Sequence, residues 1–303
     1  DWGFCLSHNE LSTLTDGEYE VCIDSTLKDG NLTYGECFLP GKSSDEILIS
    51  CHACHPSLAN DNLSGLTVAT ELARQISELN SEHRYSYRFL FLPGTIGAIT
   101  WLALHREAAR AIRHGLVLTC IGDGAAFHYK KSRRGDAEID RAVAHVLSHV
   151  SADARILEFS PYGYDERQYC SPGFNLPVGC LMRSVWGSFP QYHTSADNLD
   201  FIRPEYLAES LRICATTFEV LENNQRYRNL NAFCEPQLGR RGLYRPTGGD
   251  SIANEINARL WVLNLSDGEH SLLDIAERAG LPFRSVLEAA RLLLDNGLLA
   301  AVP

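Results

Sequence analysis

Positive charge is in short supply in this sequence: among 303 residues, 27 Lys and Arg stand against 38 Asp and Glu, a formal net charge of -11. A long-range field of that sign opposes any general attraction to nucleic-acid phosphates or an anionic membrane surface, so no nucleic acid or membrane is expected as partner. Long apolar runs are missing too, with no stretch of the roughly 18 residues that a transmembrane helix needs. The opening Asp1-Trp2-Gly3-Phe4 has no basic stretch leading into an apolar one, which speaks against a signal peptide. It also lacks an initiator methionine, and further residues are expected upstream. Ten cysteines are too sparse for a disulfide scaffold in a chain of this size. The settings of Cys120, Cys180 and Cys214 read as buried apolar positions, and a reduced, cytoplasmic protein is the expectation.

What is present supports one large α/β core with material left for a smaller domain, since 45% of the residues are hydrophobic. Alternation at Tyr19–Asp24 and Asn31–Phe38, with Asp-Gly turns at Asp16 and Asp29, predicts a small β unit over 1–45 that forms part of an insertion. From Glu46 buried strands alternate with amphipathic helices, the pattern of a mainly parallel sheet covered on both faces. Strands are predicted at Ile47–Ser50, Arg88–Leu92, Gly115–Cys120 and Val178–Met182. Helices are predicted at Gly65–Leu79, Ile96–Arg106, Ile139–Val150 and Pro204–Asn223. This core spans 46–229, a linker 230–252 follows, and 253–303 reads as a winged helix: three helix-sized segments, with Ser271–Glu277 like the first half of a helix-turn-helix, and a closing strand after Asn296-Gly297.

In such sheets ligands gather beyond the carboxyl ends of the strands. Directly after the first core strand comes Cys51-His52-Ala53-Cys54-His55-Pro56, with Asn60-Asp61-Asn62 a few residues on. Zinc prefers imidazole, thiolate and carboxylate, and His52, His55 and Asp61 supply three such groups within ten residues. Asp61 precedes a helix, whose backbone N–H groups and positive dipole end hold a carboxylate ionised and oriented. After the Val178 strand, Tyr192-His193-Thr194-Ser195-Ala196-Asp197 sets His193 at the same edge, with Asp197 able to orient the loop.

Leu58-Ala59-Asn60-Asp61-Asn62-Leu63-Ser64-Gly65 and Tyr192-His193-Thr194-Ser195-Ala196-Asp197 together resemble the zinc-exopeptidase clan of bacterial leucyl aminopeptidases and glutaminyl cyclases. The resemblance implies a three-layer α/β/α core, with His52, a bridging Asp61 and His193 as metal ligands. More narrowly, Trp2–Leu6, Cys54–Leu58, Pro161–Gln168 and Glu235–Gly239 are similar to a bacterial aminopeptidase-like branch in which this core carries a β insertion and ends in a winged helix. It implies zinc as cofactor, hydrolysis of an amide bond beside a free amine, and a small peptide or amino-acid amide as substrate.

Two positions depart from that pattern. The clan places adjacent acids after the second core strand, a general base and then a zinc ligand, where this chain reads Pro93-Gly94-Thr95-Ile96-Gly97. The clan's ligand Asp at the end of the next strand is replaced by Thr119-Cys120-Ile121-Gly122-Asp123: either Cys120 substitutes as a thiolate, or Asp123 reaches back, or the position is unused, with a buried apolar cysteine the preferred reading of Cys120. One zinc held by His52, Asp61 and His193 is therefore expected, with His55 in reserve and water as fourth ligand. A general base typically contributes about 10²- to 10⁴-fold in rate, so its loss at Gly94 needs a replacement. Asp165 and Glu166, paired acids in one loop, are the candidates for moving the proton. Arg167 is the candidate for holding a substrate carboxylate through its planar fork, and Tyr192 for contacting substrate. The alternative is a non-hydrolytic descendant that binds an amino-acid-like ligand or a protein partner. A third reading, a transcriptional regulator using the winged helix, meets an obstacle: 253–303 holds four Arg and no Lys against seven acids. DNA readers present a basic face, so packing or homo-oligomer contact is the expected use of this domain.

Overall fold

The computed structural model describes residues 3, 5–80, 82–243 and 250–302. Contacts divide the chain into two compact units, Asp1–Leu32 and Thr33–Pro303. In the first, Ser7 and Glu10 form a capping box that starts a one-turn helix, α1 (His8–Leu11). The strand expected at Tyr19–Asp24 does not form: no strand is assigned among the described residues of this unit, and Tyr19, Val21 and Ile23 are exposed. Alternation makes a strand only where a neighbouring backbone completes the ladder. Trp2 and Phe4 of the opening motif, and 244–249 of the expected linker, lie outside the described residues.

The second unit is built on a seven-stranded sheet. Its strands are β1 (Gly35–Leu39), β2 (Glu46–His52), β3 (Ser86–Leu92), β4 (Ile112–Leu118), β5 (His128–Lys130), β6 (Arg155–Leu157) and β7 (Val178–Met182), in the order β1-β3-β2-β4-β7-β5-β6. Pairings of β2 with β3 and β4, and of β4 with β7, are parallel, while β1 and β5 join antiparallel. The second half of the Asn31–Phe38 alternation thus edges the core sheet as β1.

Helices α2 (Ser64–Ser77), α3 (Ile96–Leu104), α4 (Arg106–Ala109), α5 (Glu138–Val150), α6 (Glu166–Tyr169) and α7 (Pro204–Asn223) fill the connections. Every residue of β2 is buried. Side chains alternate across a strand, so Ile47, Ile49 and Cys51 enter one core with Val68 and Leu72 of α2, while Leu48 enters the other with Trp101 of α3. This is the three-layer arrangement, and its parallel strands bring the ends of β2, β3, β4 and β7 to one edge.

Beyond α7 the winged helix takes shape. It comprises β8 (Arg226–Asn229), a short turn of 3₁₀ helix at Leu238–Arg241, α8 (Asp250–Leu265), β9 (Asp267–Ser271), α9 (Leu272–Ala279), α10 (Phe283–Asp295) and β10 (Leu299–Ala301). Its three strands pair antiparallel in the order β10-β8-β9. Ser271 and Asp274 form the capping box that opens α9, and Gly280 closes it at φ 64°, a left-handed cap that glycine adopts without a Cβ penalty. Arg141 of α5 reaches Asp274 and Glu277 of α9, seaming this domain to the core. All ten cysteines are free, and no helix among the described residues is long and apolar enough to cross a membrane.

Candidate metal centre

The edge where β2, β3, β4 and β7 end holds the cluster. Hydrophobic β2 carries His52 into full burial, and its Nε2 lies 2.7 Å from Asp61 Oδ1. Asp61 sits in an irregular turn, Ala59–Leu63, directly before α2. Its other oxygen, Oδ2, lies 3.0 Å from His193 Nε2 and 3.7 Å from His55 Nδ1. One buried carboxylate is thus ringed by three imidazoles, one of them brought in from 132 residues away. His193 adopts φ 55°, a left-handed conformation uncommon outside glycine, which aims its ring at Asp61.

The turn itself is pinned from both sides. Asp197 accepts hydrogen bonds from the backbone N–H groups of Asn60 at 2.6 Å and Asp61 at 3.0 Å. Asn60 donates to Asp123 Oδ2 at 2.7 Å, and Asn62 to the Leu118 carbonyl at 2.8 Å. Tyr164 stacks on His52 with ring centroids 3.8 Å apart, and Tyr192 on His193 at 3.9 Å. Burial opposes the charge on Asp61, yet the His52 hydrogen bond and the three imidazoles outweigh it and hold the carboxyl below its usual range. At His52 burial prevails over Asp61 and lowers the imidazole, which favours the neutral form that ligates metals.

Donor chemistry fits a single cation of the zinc type: the ligand atoms of His52, His55 and Asp61 all lie within 4.8 Å of one another, and His193 shares Asp61. His55, expected only in reserve, sits in the cluster itself. Thr95 and Cys120, where the resemblance would place further acidic ligands, add no carboxylate. Cys120 is buried, which raises its thiol well above the usual value, and Asp123 spends its oxygens on Asn60, Ala125 and Ser184.

The two acids proposed to move a proton part company. Glu166 is fully buried and ion-paired through Oε1 with Lys130 Nζ at 2.8 Å, its Oε2 without a partner. Asp165 is fully buried with one oxygen accepting from Thr95 N at 2.6 Å and the other without a partner. Burial pushes its carboxyl up to about 7. Arg167 follows, with its buried Nε unpartnered.

Residue 94 lies against Cys54. A Cβ added to Gly94 would stand 2.4 Å from Cys54 Sγ and 3.3 Å from the Tyr164 ring, and the Gly94 N–H donates to that sulfur at 2.9 Å. Cys54 occupies the space that a side chain at position 94 would enter. Sequence reading missed both this pairing and the Tyr164 stack; the one available signal was that Cys54 and Tyr164 lie in two of the four segments similar to the aminopeptidase-like branch.

Comparisons with known proteins bear on the family and the fold. Residues 7–224 match the family described as a domain of unknown function, DUF4910, and residues 225–301 match a winged helix-turn-helix family. A protein of Clostridium acetobutylicum, named as a candidate polysaccharide biosynthesis protein with an aminopeptidase-like domain, is 49% identical over all of this chain and 69% of its own length. A crystal structure of a candidate peptidase from the same organism superposes with a TM-score of 0.90 at 48% identity, covering 100% of this chain and 68% of that one. A zinc aminopeptidase from Bacillus subtilis shares the core fold, with a TM-score of 0.50 at 18% identity over 62% of this chain and 49% of its own.

Proposed function

The chain belongs to the DUF4910 family, and from that premise and the three imidazoles around Asp61 we propose that it is a zinc-dependent hydrolase of amide bonds, acting next to a free amine. The observation that carries this reading is the convergence of His52, His55 and His193 on one buried carboxylate at the carboxyl edge of the sheet. These four residues would hold the ion. When bound, zinc supplies the charge that polarises a carbonyl and acidifies water. The protein supplies the rest: Tyr164 and Tyr192 fix the imidazole planes and wall the site, Arg167 offers a fork for a substrate carboxylate, and Asp165, poised near neutrality with one free oxygen, takes the proton. A small peptide or amino-acid amide is the substrate of this reading, and a cytoplasmic setting accompanies it. Metal analysis of the purified chain, with turnover of amino-acid amides measured before and after chelation, tests it. Stoichiometric zinc with chelator-sensitive turnover supports the proposal; robust turnover without metal would overturn it.

Asp165 also makes a stability prediction. Its carboxyl titrates near 7 in the native state and near 3.9 in an unfolded chain. Between about pH 4 and 7 the native state keeps a proton that the unfolded chain has released, so Asp165 lowers stability as pH rises through this window, by a few kcal/mol in order of magnitude. His114, lowered to about 4 by burial, acts in the opposite sense over nearly the same range. The contribution is therefore isolated by difference: Asp165→Asn, which keeps an acceptor for Thr95, is expected to gain stability relative to the parent from pH 4 to 7 in urea unfolding. A pH-independent difference would show that the carboxyl is not raised.

A second reading is favoured by Cys54, whose sulfur fills the place of the clan's base: a descendant that keeps the zinc and binds an amino-acid-like ligand without cleaving it. Turnover near background in the zinc-loaded chain, with tight binding of an amino acid, would decide for it.

A further inference from the structure

The seam between core and winged helix carries a second histidine pair, apart from the Asp61 cluster. His145 and His149 are four residues apart on α5, one above the other on a single helix face, with ring centroids 4.7 Å apart and planes inclined at 63°. His145 is only 7% exposed, and its Nε2 is buried without any hydrogen-bond partner. An orphaned buried nitrogen is costly and calls for an unseen partner. Burial, reinforced by His149 and Arg141, pushes this imidazole down to about 4, so it stands neutral with a lone pair at physiological pH.

Both rings line a hollow of about 320 Å³ whose opposite wall comes from α9 and its cap, Ala276, Glu277 and Gly280. We propose that this hollow is a site for a divalent transition-metal ion of the zinc type, ligated by His145 and His149, with water in its remaining positions. Two imidazoles at i and i+4 on one helix are the half-site that helical zinc motifs use. Glu277 brings negative charge to the far wall while its oxygens remain on Arg141. An ion here touches the core directly and faces the winged helix, so its binding free energy adds to the holding of the seam.

The test is a zinc titration of the full chain by calorimetry, beside the His149→Ala variant. His149 lies on the exposed last turn of α5, so its removal leaves the buried core intact. The parent is expected to take up one zinc equivalent more than H149A, and zinc is expected to slow amide hydrogen exchange in α9 of the parent alone. The Asp61 cluster is present in both chains and cancels: should it bind nothing, the counts become one and none. Equal zinc uptake by parent and variant, or equal protection of α9, overturns the proposal.

Discussion

Asp61→Asn is expected to abolish zinc binding at the three-imidazole cluster and turnover with it. The substitution keeps the side chain's shape and removes the only anion among His52, His55 and His193. A bound metal contributes several kcal/mol of transition-state stabilisation, and each 1.36 kcal/mol is tenfold, so the loss should be on the order of 10³-fold or more. Stability supplies an independent measure. At free zinc about a thousand times the dissociation constant, binding raises the unfolding free energy by about 4 kcal/mol in the parent, a gain that D61N should lack. Melting curves with and without zinc, taken in the His149→Ala background so that the seam does not contribute, check this, and an undiminished shift in D61N would remove the carboxylate from the ligand set.

Restoring an acid at position 94 should have the opposite effect, and only when its space is cleared. Gly94→Glu alone drives a Cβ to 2.4 Å from Cys54 Sγ, so the new carboxylate is pushed off line or the sulfur must rotate away. In the double variant Cys54→Ala with Gly94→Glu the obstruction is gone. If the parent lacks an efficient base, turnover of an amino-acid amide should rise by about 10²- to 10⁴-fold in the double variant, and by much less in G94E. Equal rates in parent and double variant would mean that Asp165 already does the work.

Most of the scaffold could be read from residue order because its elements are long and periodic. The run Ile47–Ser50, the helical spacing in Glu138–Val150, and Ser271 with Asp274 at a helix start each encode their structure locally. Strands β5, β6 and β9 could not be read: the first two are three residues long and the last is Asp-Gly-Glu-His-Ser, so their pairing is imposed from outside. Tyr19–Asp24 shows the converse, a strand-like pattern with no ladder. At the cluster, His52, Asp61 and His193 were recognisable because each lies in a distinctive segment after a strand. The ion pair of Glu166 could not be read because its partner Lys130 is 36 residues away, and a charge pair formed in the interior leaves no mark in either segment. Cys54 and Gly94 were likewise opaque, since only three-dimensional folding places that sulfur beside the glycine.

The Asp197 carboxylate, bonded to two successive amides of the turn that bears Asp61, has a consequence for how a guest is received. Its partners sit 137 and 136 residues earlier in the chain, so it fastens two remote loops as the molecule folds. On the proposed reading the backbone that carries the donors is ordered beforehand, so an arriving ion would not have to gather them from floppy strands of backbone. Capture would then be a matter of parting the His52–Asp61 and His193–Asp61 contacts, at 2.7 and 3.0 Å, within a turn already held in place.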